Sequence, residues 1–399
     1  MPPRTHPLER SPRVDRLNDW LTTAWDKGLS SYPSLDPQEL LAKGSSDYKP
    51  NDLASGRREE DAADFVLRLE RLCAALVNEA DLNPLGRTIA HGQLARVIRQ
   101  RHGLGALWAR RPELLETELA PPIIVVGQMR AGTTRIHRLL AADPRHAATR
   151  FCDSWHPVPE KLDMRPIWSG IALAMGRTIN PWLDTIHPFS AAHPDEELGW
   201  LAAALNHAAY EAQWRVRGYS MWSEARDPAP VYHEYARILR TDAAHAGNAD
   251  RVRVMKVPQF SEDLPALLAQ FPDARLVVAR RCNEEVWRSA VSLVANQMAI
   301  QSDAADLEWI EQEWRRKLAL RDERLDQALA GFSGPVAELD FDVLNADWEG
   351  AVEAAYAALG IELTSAARAA MTAQMRGSAD GAHSAHSAQL KAFRAAATG

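Results

Sequence analysis

Apolar positions along the chain change period near residue 120. Before that point they recur at helical spacing. Asp15 to Lys27 predicts a helix, Asp36-Pro37 is an N-cap followed by proline at the first helical position, and Arg57 to Asn78 carries Phe65, Leu67, Leu69, Leu72, Ala75 and Leu76 as an apolar face. Leu82 to Gln100 and Leu104 to Leu119 predict two further helices. Beyond residue 120, short apolar runs alternate with helical stretches. Ile123 to Val126, Arg251 to Val257, Ala274 to Arg280 and Pro335 to Phe341 predict strands. Between and after them, helices are predicted from Thr133, over His193 to Trp214, Phe260 to Gln270, Glu284 to Met298, Asp306 to Leu329 and Trp348 to Leu359, the last ended by Gly360. Phe151 to His187, with Trp155, Trp168, Trp182 and several prolines, reads as an irregular excursion suited to walling a pocket. Strands alternating with helices imply a parallel sheet covered on both faces. The expectation is an α/β fold, a three-layer parallel sheet of P-loop type over residues 121–399, preceded by a helical segment over residues 1–120.

Composition narrows the function. The 399 residues are 46% hydrophobic and 25% charged, with a formal net charge of -7. Bulk attraction to nucleic acid or an anionic surface is therefore not expected, and any anion site must be local. Cys73, Cys152 and Cys282 lack ligand or disulfide spacing. No apolar stretch has the length of a membrane span, and the N-terminus has no apolar secretory region. These features lead to the expectation of a cytoplasmic protein without a metal; oligomeric state is left open.

The most informative stretch is Ile123 to Leu140, I-I-V-V-G-Q-M-R-A-G-T-T-R-I-H-R-L-L. A buried strand, a loop bracketed by Gly127 and Gly132 and a helix N-terminus form an anion site, because backbone N–H groups converge where the helix dipole is positive. The nucleotide-binding form of this loop is G-x-x-x-x-G-K followed by Ser or Thr. Here Thr133 takes the lysine position and Thr134 the following one, so the cradle remains without the cation that reaches a triphosphate. Arg130 supplies a cation from inside the loop. At the carboxyl ends of the following strands lie Lys256 and Arg281, and Ser289 follows two turns into the next helix; in open α/β sheets that edge binds ligands.

In these residues the chain resembles the sulfotransferases that use 3′-phosphoadenosine 5′-phosphosulfate (PAPS), in their bacterial branch. Arg130-Ala131-Gly132-Thr133-Thr134 is similar to the family's 5′-phosphosulfate loop, Arg-Ser/Thr-Gly-Thr-Thr. R-C-N-E-E-V-W-R-S, from Arg281 to Ser289, is similar to its 3′-phosphate motif, R-D-P-x-x-x-x-x-S. K-V-P-Q-F-S-E-D-L-P-A-L-L-A-Q-F-P-D-A-R, from Lys256, resembles the branch's K-x-P-x-H run. The resemblance covers residues 120–360. It implies a PAPS co-substrate without a metal, and a small-molecule, lipid or carbohydrate hydroxyl acceptor. Arg130, Ala131, Gly132, Thr133, Thr134, Arg281 and Ser289 would bind the donor, and Lys256 and Arg130 would neutralise the leaving phosphate. The base is expected among His193, Glu196 and Glu197, in H-P-D-E-E, with the glutamates preferred; the alternative is that these acids only cap the helix. Five positions depart from the family: Ala131 for Ser/Thr, Cys282 and Asn283 for Asp-Pro, Phe260 for His, and Ala388 for Tyr in the terminal H-x-Y-x-L-x-x-F, where His386, Leu390 and Phe393 keep the spacing. His383 and His386 either close over the nucleotide or belong to a tail. The rivals are a P-loop nucleotide kinase or NTPase and a non-catalytic nucleotide-binding relative.

Overall fold

The computed structural model describes residues 3–378 and 388–393. Five strands, Ile123–Gly127 (β1), His146–Ala148 (β2), Val252–Lys256 (β3), Arg275–Arg280 (β4) and Val336–Asp340 (β5), form one sheet in the order β2-β3-β1-β4-β5. All four pairings are parallel. The chain fills one side of β1 with β3 and then crosses to the other side with β4. The reversal puts a crevice at the carboxyl end of β1, where such sheets bind ligands.

Alternation along the strands explains the two covered faces. Ile123 and Val125 of β1, Val254 of β3 and Val277 and Ala279 of β4 point to one side, against Ile136, Leu139 and Leu140 of the helix after β1 and Val286, Ala290 and Val294 of the helix after β4. Ile124, Val126, Met255, Leu276 and Val278 point to the other, against Tyr235, Leu239, Leu264, Leu267, Leu104 and Trp108. Each buried Val, Leu, Ile or Met among them contributes about 1.5–3 kcal/mol by leaving water. The N-terminal helices build a further core, in which Phe65, Leu69, Leu72, Leu94 and Ile98 meet Tyr210, Trp214 and Tyr219.

Several elements differ from the sequence expectation. Leu82 to Gln100 and Leu104 to Leu119 are not two helices: Pro84–Arg110 is continuous. Gly103 and Gly105 lie inside it, and a Cβ at Gly105 would run into the backbone carbonyl of Asp52. The glycine there permits close packing instead of breaking the helix. The expected helix over His193 to Trp214 is only Leu198–Ala203, a loop and a short 3₁₀ turn, His207–Ala209. Leu205 takes a positive φ and ends the run. The excursion Phe151 to His187 contains a fifteen-residue helix, Arg165–Ile179, and two helices not anticipated follow, Arg217–Glu224 and Ala229–Ala246. The short strand β2 was also not anticipated. Among the described residues no helix is long and apolar enough to cross a membrane. His383 and His386 lie outside the described residues.

Candidate functional site

Between β1 and the helix Thr133–Ala141, the chain turns at Gly132, whose φ of 90° is one that side-chain-bearing residues rarely adopt. A Cβ there would also lie 2.6 Å from Cδ2 of Phe341. Phe341 in turn lies under the Arg281 guanidinium, 4.0 Å from ring centroid to Cζ. The glycine therefore lets the loop approach the very ring that supports a cation. The loop's entry is fixed by Ser261, whose hydroxyl accepts the Gly127 N–H at 3.0 Å. Its middle is fixed by Gln128, whose amide donates to the Leu318 carbonyl at 2.7 Å and to Asp322 at 2.8 Å.

Around this loop two groups of side chains assemble. In the first, Arg130 Nε donates to Ser289 Oγ at 2.8 Å, and Arg281 Nη1 donates to the Arg130 carbonyl at 2.8 Å. Arg130 itself has a φ of 69°, a left-handed conformation that turns its carbonyl toward Arg281. Burial, and then the neighbouring Arg281 charge, push the Arg130 guanidinium down to about 10, against the pull of Glu196. Ala131 is buried and adds no hydroxyl.

In the second group, Lys256 Nζ donates to Thr134 Oγ1 at 3.0 Å and to Glu196 at 2.7 Å. Lys256 lies on the last residue of β3, beside β1, and its side chain is buried. The two glutamates separate sharply. Glu196 is the partly exposed one and pairs with the Lys256 ammonium. Glu197 is wholly buried and its Oε2 accepts the backbone N–H of Lys256 at 2.9 Å. Burial pushes the Glu197 carboxyl up to about 7, against the pull of the Lys256 N–H, the Thr149 hydroxyl and the Arg253 charge. His193 is exposed, and its carbonyl accepts the Phe151 N–H at 3.1 Å. Thr133 is buried at the first position of the helix. His137 is fully buried below the loop and its ring faces the Val254 carbonyl at 3.2 Å; burial, then Lys256, depress it to about 3, which leaves it neutral and packed.

Of the residues expected from sequence, Arg130, Thr134, Lys256, Glu196, Arg281 and Ser289 thus meet around one loop. Three participants were not anticipated: Phe341, Gln128 and the buried Asp195, whose Oδ1 accepts the Glu196 N–H at 2.8 Å. Asp195 sits in the same H-P-D-E-E run as the glutamates, so its position was visible; its inward orientation was not. Outside the site, His207, Glu224 and Glu262 bring ligand-type atoms within 4.8 Å of one another. The Lys317 ammonium contacts all three, at 3.2, 2.7 and 2.9 Å, and so takes the place a cation would need.

A glycine loop after the central strand, cations at three neighbouring strand ends and an acid beside one of them make a cationic edge on an α/β sheet. A sequence model of the sulfotransferase family matches residues 121–365, and the chain belongs to that family. Two solved structures share the fold. Sulfotransferase STF1 from Mycobacterium tuberculosis H37Rv aligns with a TM-score of 0.75 at 24% identity, over 90% of this chain and 99% of that one. Sulfotransferase STF9 from Mycobacterium avium aligns with a TM-score of 0.74 at 18% identity, over 86% and 88%. Among curated proteins no relative matches.

Proposed function

We propose that the chain transfers a sulfuryl group from PAPS to a hydroxyl of a small-molecule, lipid or carbohydrate acceptor. The observation that carries this reading is the pairing of two cationic groups across one lysine-less loop: Arg130, Arg281 and Ser289 on one side, Lys256 with Thr134 and Glu196 on the other. Arg281 and Ser289 of the first group suit the 3′-phosphate of the donor. The second suits the 5′-phosphosulfate, with the loop N–H groups and Thr133 and Thr134 at the phosphate. The acceptor oxygen attacks sulfur, the bond from sulfur to the bridging oxygen breaks, and adenosine 3′,5′-bisphosphate leaves. Lys256 and Arg130 offset the charge that grows on the bridging oxygen, in the way preorganised cations stabilise phosphoryl transfer. Glu196 takes the acceptor's proton. Glu197 holds the Lys256 backbone and faces away from that proton. In this reading the ammonium and guanidinium groups supply the positive charge that the donor's phosphates require.

The reading is tested by calorimetry with adenosine 3′,5′-bisphosphate against Mg-ATP, and by transfer of labelled sulfate from PAPS to an acceptor library. Tight Mg-ATP binding with no bisphosphate binding would assign the chain to the kinase class instead; bisphosphate binding with no transfer to any acceptor would leave a non-catalytic relative. Arg281→Ala is expected to weaken bisphosphate binding roughly 10- to 100-fold, since a charge-assisted contact is worth about 1.5–3 kcal/mol. An unchanged dissociation constant would remove Arg281 from the donor site. Gly132→Ala introduces left-handed strain of about 1–2 kcal/mol and displaces Phe341 from under Arg281. Its bisphosphate affinity should fall together with its unfolding midpoint, and a variant that loses neither would show that the loop tolerates a Cβ.

A further inference from the structure

Segments from opposite ends of the sequence meet beside the helix that carries Ser289, and donor binding as set out above uses neither. The Arg4 N–H donates to Gln389 Oε1 at 2.8 Å, and Gln389 Nε2 donates back to the Arg4 carbonyl at 2.8 Å. Residues 388–393 are helical, and the Phe393 ring centroid lies 5.3 Å from Cζ of Arg4. Leu390 and Phe393 of the terminal motif are therefore tied to the N-terminal segment. This clasp rests on the helix Asn283–Gln301: Arg4 Nη2 donates to the Ser292 carbonyl at 3.2 Å and to Ser292 Oγ at 3.3 Å. Further along, Arg10 Nη1 donates to the Ala299 carbonyl at 3.0 Å. The N-terminal segment thus runs alongside this helix, with Arg4 at the end nearer Ser289.

Arg4 is a cation without a counter-charge. It is 1% exposed, and its guanidinium donates only to neutral oxygens, the Pro7 carbonyl at 2.6 Å and the two of Ser292. Its Nε is buried without a hydrogen-bond partner. Among the described residues no carboxylate pairs with it. Burial pushes the guanidinium down to about 10, and Glu9 offsets only part of that. A charge taken out of water without an opposite charge is costly to the fold. What it stands beside is the donor helix. Ser292 lies one turn beyond Ser289, both are buried, and residues so spaced are neighbours on a helix surface, about 5–6 Å apart. A guanidinium that touches Ser292 is therefore within roughly 10 Å of Ser289. Little water lies between to screen its field.

We infer that Arg4 is a specificity-determining residue for the donor's second phosphate. Its charge favours a ligand with a phosphate on the 3′ oxygen, beside Ser289 and Arg281, and the clasp with Gln389 and Phe393 holds it there. The 3′-phosphate in turn supplies the opposite charge that Arg4 lacks. Arg4 acts through its field and not through a hydrogen bond to the ligand, so its effect depends on charge and on distance. The inference rests on the sulfuryl-transfer reading, which puts the 3′-phosphate at Arg281 and Ser289, and is tested separately from it.

Calorimetry on the full-length chain at low salt compares adenosine 3′,5′-bisphosphate with adenosine 5′-monophosphate, which lacks only the 3′-phosphate. Arg4→Met should weaken the bisphosphate roughly five- to thirtyfold and leave the monophosphate within about twofold of wild type, which also shows that the variant is folded. Arg4→Lys keeps the charge and should hold the bisphosphate within about threefold of wild type. Gln389→Ala keeps the cation but opens the clasp, and should weaken the bisphosphate selectively, by less than Arg4→Met does. An equal loss on both ligands in Arg4→Met would show that Arg4 only braces the fold, and overturns the inference. So does an unchanged bisphosphate affinity, or a lysine variant no better than the methionine one. If Arg4→Met does not fold, Gln389→Ala decides, and no loss or an equal loss on both ligands there overturns the inference. Failure of wild type to bind the bisphosphate overturns the donor reading instead.

Discussion

Glu196→Gln should lower kcat about 10²- to 10⁴-fold, the usual worth of a positioned base, with bisphosphate affinity unchanged. Glu197→Gln should behave oppositely: turnover stays within about threefold at neutral pH, because a glutamine oxygen still accepts the Lys256 N–H. The second variant carries its own signature in stability. In the folded chain the Glu197 carboxyl is raised from 4.5 to about 7, so the folded state holds its proton more tightly than the unfolded state. Its contribution is intact below about pH 4.5, falls away as pH rises, and is lost once pH passes about 7. A shift of that size corresponds to about 3 kcal/mol. Glu197→Gln cannot ionise, so its unfolding free energy should fall less than that of wild type between pH 5 and pH 8. Denaturant unfolding at the two pH values, with steady-state kinetics alongside, checks both halves. Normal turnover in Glu196→Gln would move the base elsewhere, and His193 would be the next residue to substitute.

That contrast marks the boundary of what the sequence makes legible. The loop from Gly127 to Thr134, Lys256 and Arg281 stand out because each sits at a strand end or helix start, where local pattern fixes position, and Ser289 stands out by its spacing from Arg281, two turns into the helix Asn283–Gln301. The glutamates stand next to each other, and their division of labour depends on which one the end of β3 meets. That is tertiary information. Four of the five strands run for five or six residues, with β1, β3 and β4 covered on both faces and β5 alternating buried and exposed, whereas β2 is His146–Ala148, three residues without a β-branched one. The helix Arg165–Ile179 escapes notice for a different reason. Its exposed face carries Ile167, Trp168, Ile171 and Met175, so apolar residues appear all round and no amphipathic contrast is left to read. Phe341, which lies far from the phosphate motifs in sequence, reaches Arg281 only because β5 pairs with β4 in register at Arg280 and Asp340.

Lys317→Met should cost about 3–5 kcal/mol of unfolding free energy, the largest stability effect expected of a single substitution here. Lys317 Nζ lies among Glu224 at 2.7 Å, Glu262 at 2.9 Å and Glu211 at 3.1 Å, all of them largely buried. Burial and Arg321 would lower the lysine; Glu211, Glu262 and Glu224 outweigh them and raise it. Glu262 is correspondingly held far below the usual carboxylate range despite its burial, with His207 and Lys317 the largest opposing charges. Arg321 adds contacts to Glu262 at 3.1 Å and to Glu211. Removing the ammonium leaves carboxylates in the interior with too few counter-charges, which costs far more than the pairing itself contributes. The effect should also reach the site. Glu262 follows Lys256 in the first turn of the helix Phe260–Gln270, next to Ser261, which holds the Gly127 N–H. The helix that carries Lys317, Leu307–Ala330, also supplies the Leu318 carbonyl and Asp322 that hold Gln128. Lys317→Met should therefore weaken bisphosphate binding as well as stability, although the lysine touches no ligand. Adding Glu262→Gln to Lys317→Met should recover part of the lost stability, because it removes one of the stranded charges. A single variant that loses less than about 1 kcal/mol, or a double variant less stable than the single, would show that this cluster is hydrated or rearranged in solution and does not brace the loop.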